Sequence, residues 1–113
     1  MQKTSSKSWG FRGFLYQVKL VRDVKKQLKR FPSKDQERIG SRIRQLANDP
    51  RPVGSIHLRD VVFRIRAGDY RVIYAVYDQI LVVIVVEVAR RSEATYEDLE
   101  KYVQRARRFF ESE

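Results

Sequence analysis

The 113-residue chain has no cysteine and a single histidine. The first absence removes disulfides, thiol nucleophiles and cysteine-ligated zinc together, and suits a reducing cytoplasm, where the protein is expected to reside. The second removes the two-histidine acid/base pair of the usual ribonuclease kind and leaves His57 alone. No glycine-rich phosphate loop is present, because Ala67-Gly68-Asp69 reads better as a hairpin turn. The 14 carboxylates are scattered, without the cluster that holds a metal pair, so no metal or cofactor is expected. Long apolar runs are missing too. Ile80 to Val86 is far shorter than the roughly 20 residues of a membrane-spanning helix. Residues 1–15 carry no hydrophobic signal core, and no membrane association is expected.

What is abundant is positive charge. Twenty-four Lys and Arg stand against 14 Asp and Glu, a formal +10, with a pI of about 10.2. Such an excess bears on partners and not on fold, and nucleic acid is the leading partner class. A hydrophobic content of 42% with 12% aromatics is that of a folded globule, and the length suits one domain with one modest core. Residues 1–13 are basic and Ser-rich and read as an arm, with Trp9 and Phe11 available to pin it down; residues 14–113 form the domain.

Phe14, Tyr16, Val18 and Leu20 alternate with Leu15, Gln17 and Lys19, which predicts a first strand. Val24, Leu28 and Phe31 recur at helical spacing up to Pro32, where a helix must stop. Ser33 and Gln36 form a capping-box pattern for a second helix, with Ile39, Ile43 and Leu46 inward and Asn48-Asp49-Pro50 closing it. These two helices should lie antiparallel, with Lys25, Lys26, Lys29, Arg30, Lys34, Arg38, Arg42 and Arg44 outward. Three strands are expected at about 61–66, 70–77 and 80–88, with a tight turn at Asp78-Gln79. The run ILVVIVVEV (residues 80–88) is β-branched and belongs mid-sheet, covered on both faces; Glu87 within it calls for a basic neighbour. Thr95 and Asp98 mark the start of a third helix. Its apolar stripe is Leu99, Tyr102, Val103, Ala106, Phe109 and Phe110, with Arg105, Arg107 and Arg108 outside it. The order β-α-α-β-β-β-α describes an α+β domain, a mainly antiparallel sheet packed against a helical hairpin.

Within it, FRIRAGDYRVIY (residues 63–74) is unusual. Alternation points Arg64 and Arg66 to the face opposite Phe63 and Ile65. Guanidiniums gathered on one strand face repel unless an anion lies among them. A four-residue loop from Ala67 to Tyr70 would set Arg71 beside Arg66, whereas a three-residue loop would send Arg71 to the other face; the pattern permits both. Arginine forks bind phosphate bidentately and stay charged, so they suit stabilisation of phosphoryl transition states. They are poor proton carriers near neutral pH.

The stretch HLRDVVFRIRAGDYRVIYAVYDQILVVIVVEVARRSEATY, His57 to Tyr96, resembles the RelE/ParE superfamily of toxins from bacterial toxin–antitoxin pairs. The order of elements over residues 14 to 100 matches that family too. The resemblance implies one of two activities, ribosome-dependent cleavage of messenger RNA in the A site or inhibition of DNA gyrase; the basic charge alone also allows an RNA-binding module without catalysis. The ribonuclease members carry a basic pair on one strand, an arginine on the next, another after the last strand and a tyrosine near the C-terminus. Arg64, Arg66, Arg71, Arg91 and Tyr96 hold those places here, which implies a messenger-RNA endoribonuclease with these five as its catalytic set. Lys25, Lys26, Lys29, Arg30, Arg38 and Arg42 would then contact ribosomal RNA, and a cognate acidic antitoxin would hold the toxin inactive. Two departures bear on proton transfer. Arginines replace the lysines frequent at the paired positions, and Arg90 stands where many relatives have histidine. Tyr96 and His57 are then the candidates to move a proton.

Overall fold

The computed structural model describes residues 15–92 and 98–112. The first strand, β1 (Gln17–Leu20), leads through Val21 into helix α1 (Arg22–Lys29). Pro32 lacks the N–H that a continuing helix would need, so the chain turns there and helix α2 (Ser33–Gln45) begins. The expected Ser33–Gln36 capping box is absent. Pro32 itself is the N-cap and offers no side-chain acceptor. Gln36 Nε2 instead donates 2.8 Å back to the Phe31 carbonyl and braces the loop between the helices.

Strands β2 (Ile56–Arg59), β3 (Val62–Ala67), β4 (Tyr70–Tyr77) and β5 (Val82–Arg90) follow, and helix α3 (Glu100–Ser112) ends the described chain. The sheet order is β1-β5-β4-β3-β2. All neighbours are antiparallel except β1 and β5, which run parallel. β2 is one strand more than the sequence pattern predicts. It is short, lies at the edge and buries no residue, so it has no apolar periodicity to announce it. The turn after β4 is a short 3-10 helix, Asp78–Ile80, with Leu81 at φ 54°, which moves the start of β5 to Val82. Phe14 and Thr95 lie outside the described residues.

The core is centred where the β-branched run predicted it. Val72, Ile73, Tyr74 and Ala75 of β4 are buried beside Val82 to Val86 of β5. Val24 of α1 and Ile39, Ile43 and Leu46 at α2 are buried with them, as the helical stripe implied. Within α3, Tyr102, Val103 and Ala106 are core residues, whereas Phe110 remains 38% exposed. Burial pushes the Tyr74 hydroxyl up to about 12. It therefore stays a neutral donor, 2.7 Å from the Pro50 carbonyl.

Candidate functional site

The β3–β4 register answers the question left by the loop. Ala67 faces Tyr70, Arg66 faces Arg71 and Arg64 faces Ile73. Alternation along both strands then puts Arg64, Arg66 and Arg71 on one face of the sheet. Gly68 makes the turn with φ at +64°, a left-handed conformation open to glycine at little cost. A Cβ there would also meet Arg38 of α2, with Nη1 at 2.6 Å. The turn and the basic face of α2 are therefore in close contact.

The three arginines differ in reach. Arg66 is exposed, Arg71 is half-buried and Arg64 is only 7% exposed. Arg64 Nε is buried without a hydrogen-bond partner among the described residues. Arg64 thus lies beneath the surface that Arg66 and Arg71 present. Next to them, Asp69, Arg71, Arg90, Arg91 and Ser92 line an open cleft of about 460 Å³. The Arg91 backbone N–H donates 2.8 Å to the Asp69 carbonyl, which ties the end of β5 to the hairpin turn. Arg90 stacks over the Tyr70 ring at 5.5 Å, and Tyr70 Oη donates to Asp35 of α2 at 2.7 Å. Three arginines along one cleft, against one carboxylate, give it the positive excess that suits an anion with several oxygens.

Sequence reasoning placed Arg71 and Arg91 here. It missed Arg90 as a lining residue, although the Arg90-Arg91 pair at the end of an apolar strand was the available signal. His57 is elsewhere. It pairs with Phe63, on the face opposite Arg64, with its ring 5.1 Å from the phenyl ring and Nε2 donating 2.7 Å to the Asp60 carbonyl. Tyr96 lies outside the described residues. Lys25, Lys26, Lys29, Arg30 and Arg38 are exposed on the two helices as expected. Arg42 is half-buried, and its Nε donates 3.1 Å to the Arg66 carbonyl.

Arg105 also departs from expectation. It turns inward from α3, with Nη1 3.0 Å from Glu87 Oε1 and 3.0 Å from the Val86 carbonyl. Tyr102 Oη adds a 3.1 Å hydrogen bond to Glu87 Oε2. This is the basic neighbour Glu87 required. A carboxylate in the middle of a sheet is costly unless paired, and α3 supplies the pair. Among the described residues, no group of His, Asp and Glu side chains is arranged to hold a metal ion. None of the helices described is long and apolar enough to cross a membrane.

A sheet with its basic cleft at one turn, a helical hairpin behind and a C-terminal helix in front is the plan of a known class of small toxin. The family model described as the ParE toxin of the type II toxin–antitoxin system parDE matches residues 18–95. The chain belongs to the RelE/ParE superfamily of type II toxin–antitoxin toxins. The solved archaeal RelE–RelB complex from Pyrococcus horikoshii is 30% identical, with a TM-score of 0.65 over 71% of this chain and 99% of that one. A mutant of the toxin RelE from E. coli in the free state is 24% identical, with a TM-score of 0.64 over 80% and 97%. The RelBE2 toxin–antitoxin complex from Mycobacterium tuberculosis is 21% identical, with a TM-score of 0.63 over 71% and 95%. A comparison with curated protein sequences yields no match.

Proposed function

We propose that this toxin is a RelE-like endoribonuclease that cuts messenger RNA on the ribosome and so stops translation in the cytoplasm. The observation that carries the reading is the cleft between the start of β4 and the end of β5, lined by Arg71, Arg90 and Arg91, with exposed Arg66 paired across the hairpin from Arg71. RNA can be cleaved without external water when a ribose 2′-OH attacks the adjacent phosphate. The protein must then align the attack, neutralise the charge growing on the phosphate oxygens and assist the protons. Arg66 and Arg71 orient the phosphate and stabilise its transition state, and Arg91 stabilises the phosphate or the leaving oxygen. Arg64 supports that pair from below. Tyr96 stacks on a base or moves a proton. With the charge carried by arginines, cleavage should persist in EDTA.

Lys25, Lys26, Lys29, Arg30 and Arg38 dock on ribosomal RNA, an attraction that should weaken steeply with salt. The partner that silences the toxin is an acidic antitoxin segment that covers this basic surface. Its likeness to toxins solved as RelE–RelB and RelBE2 complexes supports that partner class.

The family match supports a second reading, a gyrase inhibitor on the same fold, because the matching model is that of the ParE toxins. One induction of the gene, followed by mapping of messenger-RNA 5′ ends, separates the two. New 5′ ends within open reading frames support the ribonuclease. Unchanged ends, with purified protein blocking supercoiling by gyrase, overturn it in favour of the inhibitor.

A further inference from the structure

We propose that Arg42 is a positioning residue for the arginine cluster: from α2 it reaches round the edge of β3 and holds the strand end that carries Arg66. This rests on the phosphate-binding reading above, and it moves Arg42 from the RNA-docking surface to a supporting role behind the cleft.

The need for such a residue follows from the sheet. β2 covers the outer edge of β3 only as far as the Ile56–Arg64 pair. Beyond it, Ile65 to Ala67 have β4 on one side and, among the described residues, no strand on the other. An antiparallel ladder turns alternate residues' backbone groups outward, so a carbonyl at this uncovered edge is left to water or to a side-chain donor. Arg42 Nε supplies it at 3.1 Å to the Arg66 carbonyl.

The same strand end is under electrostatic load. Arg66 and Arg71 are direct cross-strand partners, and like charges placed opposite one another weaken a pair. The turn that joins them contains Gly68 in a left-handed conformation. A hairpin end built this way tends to splay unless its edge is held. Arg42 is fit for that task because its guanidinium is itself fixed. Its Nη1 donates 3.0 Å to Gln45 Oε1, one turn further along α2. Both acceptors are neutral, and hydrogen bonds from a charged donor are roughly twice as strong as neutral ones. Arg38, on the same helix, lies over the Gly68 turn and leaves the strand end itself to Arg42. Alignment matters for rate, since a displacement of about 1 Å in a reacting centre costs on the order of 100-fold.

The test is Arg42→Met, which keeps an unbranched apolar stem and removes the donors. Amide hydrogen exchange of the 64–71 hairpin is measured first, on the toxin alone. Faster exchange confined to the hairpin, with cooperative melting retained, is expected. Cleavage of messenger RNA on programmed ribosomes is measured next. The saturating rate should fall about 10-fold or more with KM within about 2-fold, and the salt slope of RNA binding should not change. A phosphate contact would behave otherwise, losing about 0.7 from that slope with single-stranded RNA. Hairpin exchange equal to wild type, or a reduced slope at an unchanged saturating rate, overturns the proposal. Should Arg42→Met fail to fold, Arg42→Lys is scored on the same readouts with the same expected directions. The exchange arm needs no substrate. A wild-type toxin that cleaves nothing would defeat the ribonuclease reading while still leaving the bracing of Arg66 decided.

Discussion

The two faces of the sheet are made by the same strands and closed in different ways. Toward α1 and α2, the sheet offers Ile65, Val72 and Tyr74 to Val24, Ile39, Ile43 and Leu46, all buried. The polar groups on that side are satisfied, with Tyr74 bonded to Pro50 and Tyr70 to Asp35. Toward α3, the pattern is interrupted by Arg64, Arg66, Arg71 and Glu87. There, α3 packs on β4 and β5, but its hold includes a half-buried ion pair. Arg64 Nε and Tyr77 Oη are buried without hydrogen-bond partners among the described residues. A buried polar atom left unpaired costs stability that an apolar one would not. The helical-hairpin face is therefore optimised for folding, and the α3 face gives up some of that for charge. Sites where local rules are broken in this way are where function is expected.

The hardest test of this contrast is removal of α3. Deleting residues 99–113 strips away Tyr102, Val103 and Ala106 from the core. Each large apolar side chain fully buried contributes about 1.5–3 kcal/mol, and domains of this size are stable by only about 5–15 kcal/mol in total. The truncated chain should lose cooperative thermal unfolding in circular dichroism. A truncation that still melts cooperatively would mean that α3 is an accessory and that the second face is closed by something else.

Next in size is the effect on chemistry. Arg91→Ala and Arg71→Ala should each lower messenger-RNA cleavage by about 10²–10³, the usual cost of losing one preorganised transition-state contact. Their melting temperatures should hold, and that of Arg71→Ala should rise slightly because a like-charge cross-strand pair disappears. Undiminished cleavage by either variant would mean that these arginines only solvate the sheet face.

Much of this contrast was legible beforehand. Apolar alternation and helical stripes are strong where a face is fully buried, so β3, β4, β5 and the inward positions of α2 came out correctly. β2 escaped because an exposed edge strand has little periodicity to read. Arg105 was misplaced because a helical stripe counts apolar residues and does not see that a charge at its margin can turn in to meet Glu87. The pairing of Arg66 with Arg71 was undecidable from residue types alone, since a change of one residue in the loop reverses which face Arg71 takes. Arg42 was read as a surface cation because its partner is a backbone carbonyl, and carbonyls carry no sequence signal.

The ion pair that fastens α3 comes third. Glu87→Ala leaves the half-buried Arg105 guanidinium with the Val86 carbonyl and the Tyr102 ring but no counter-charge in this pair. Removing one member of such a pair costs about 1–3 kcal/mol. Replacing both Glu87 and Arg105 with Leu should cost less than Glu87→Ala, because neither charge then needs a partner. Urea unfolding of the single and double variants measures this. A double variant less stable than the single would mean that the pair is a favourable clamp in its own right, and the α3 face would be less compromised than the contrast holds.

The smallest effect expected belongs to the far end of the sheet, where neither face dominates. Asp78 accepts a hydrogen bond from Tyr16 Oη at 2.6 Å and pairs with the Arg51 guanidinium, joining the residue before β1, the segment before β2 and the β4–β5 turn. The Arg51 hydrogen bond, followed by that of Tyr16, holds the Asp78 carboxyl below its usual range. A group whose folded-state pKa is depressed stabilises the fold above its unfolded pKa, and that contribution is lost as pH falls through the folded value. The melting temperature of wild type should therefore exceed that of Asp78→Asn at neutral pH. The gap should begin to close as pH falls below the ordinary aspartate value of 3.8. Both side chains are substantially exposed, Arg51 at 41% and Asp78 at 54%, so solvent screens the pair and the gap should be small and shrink further in salt. A gap that stays constant from neutral pH to well below the carboxylate range would show that Asp78 acts through its shape and its turn, and not through its charge.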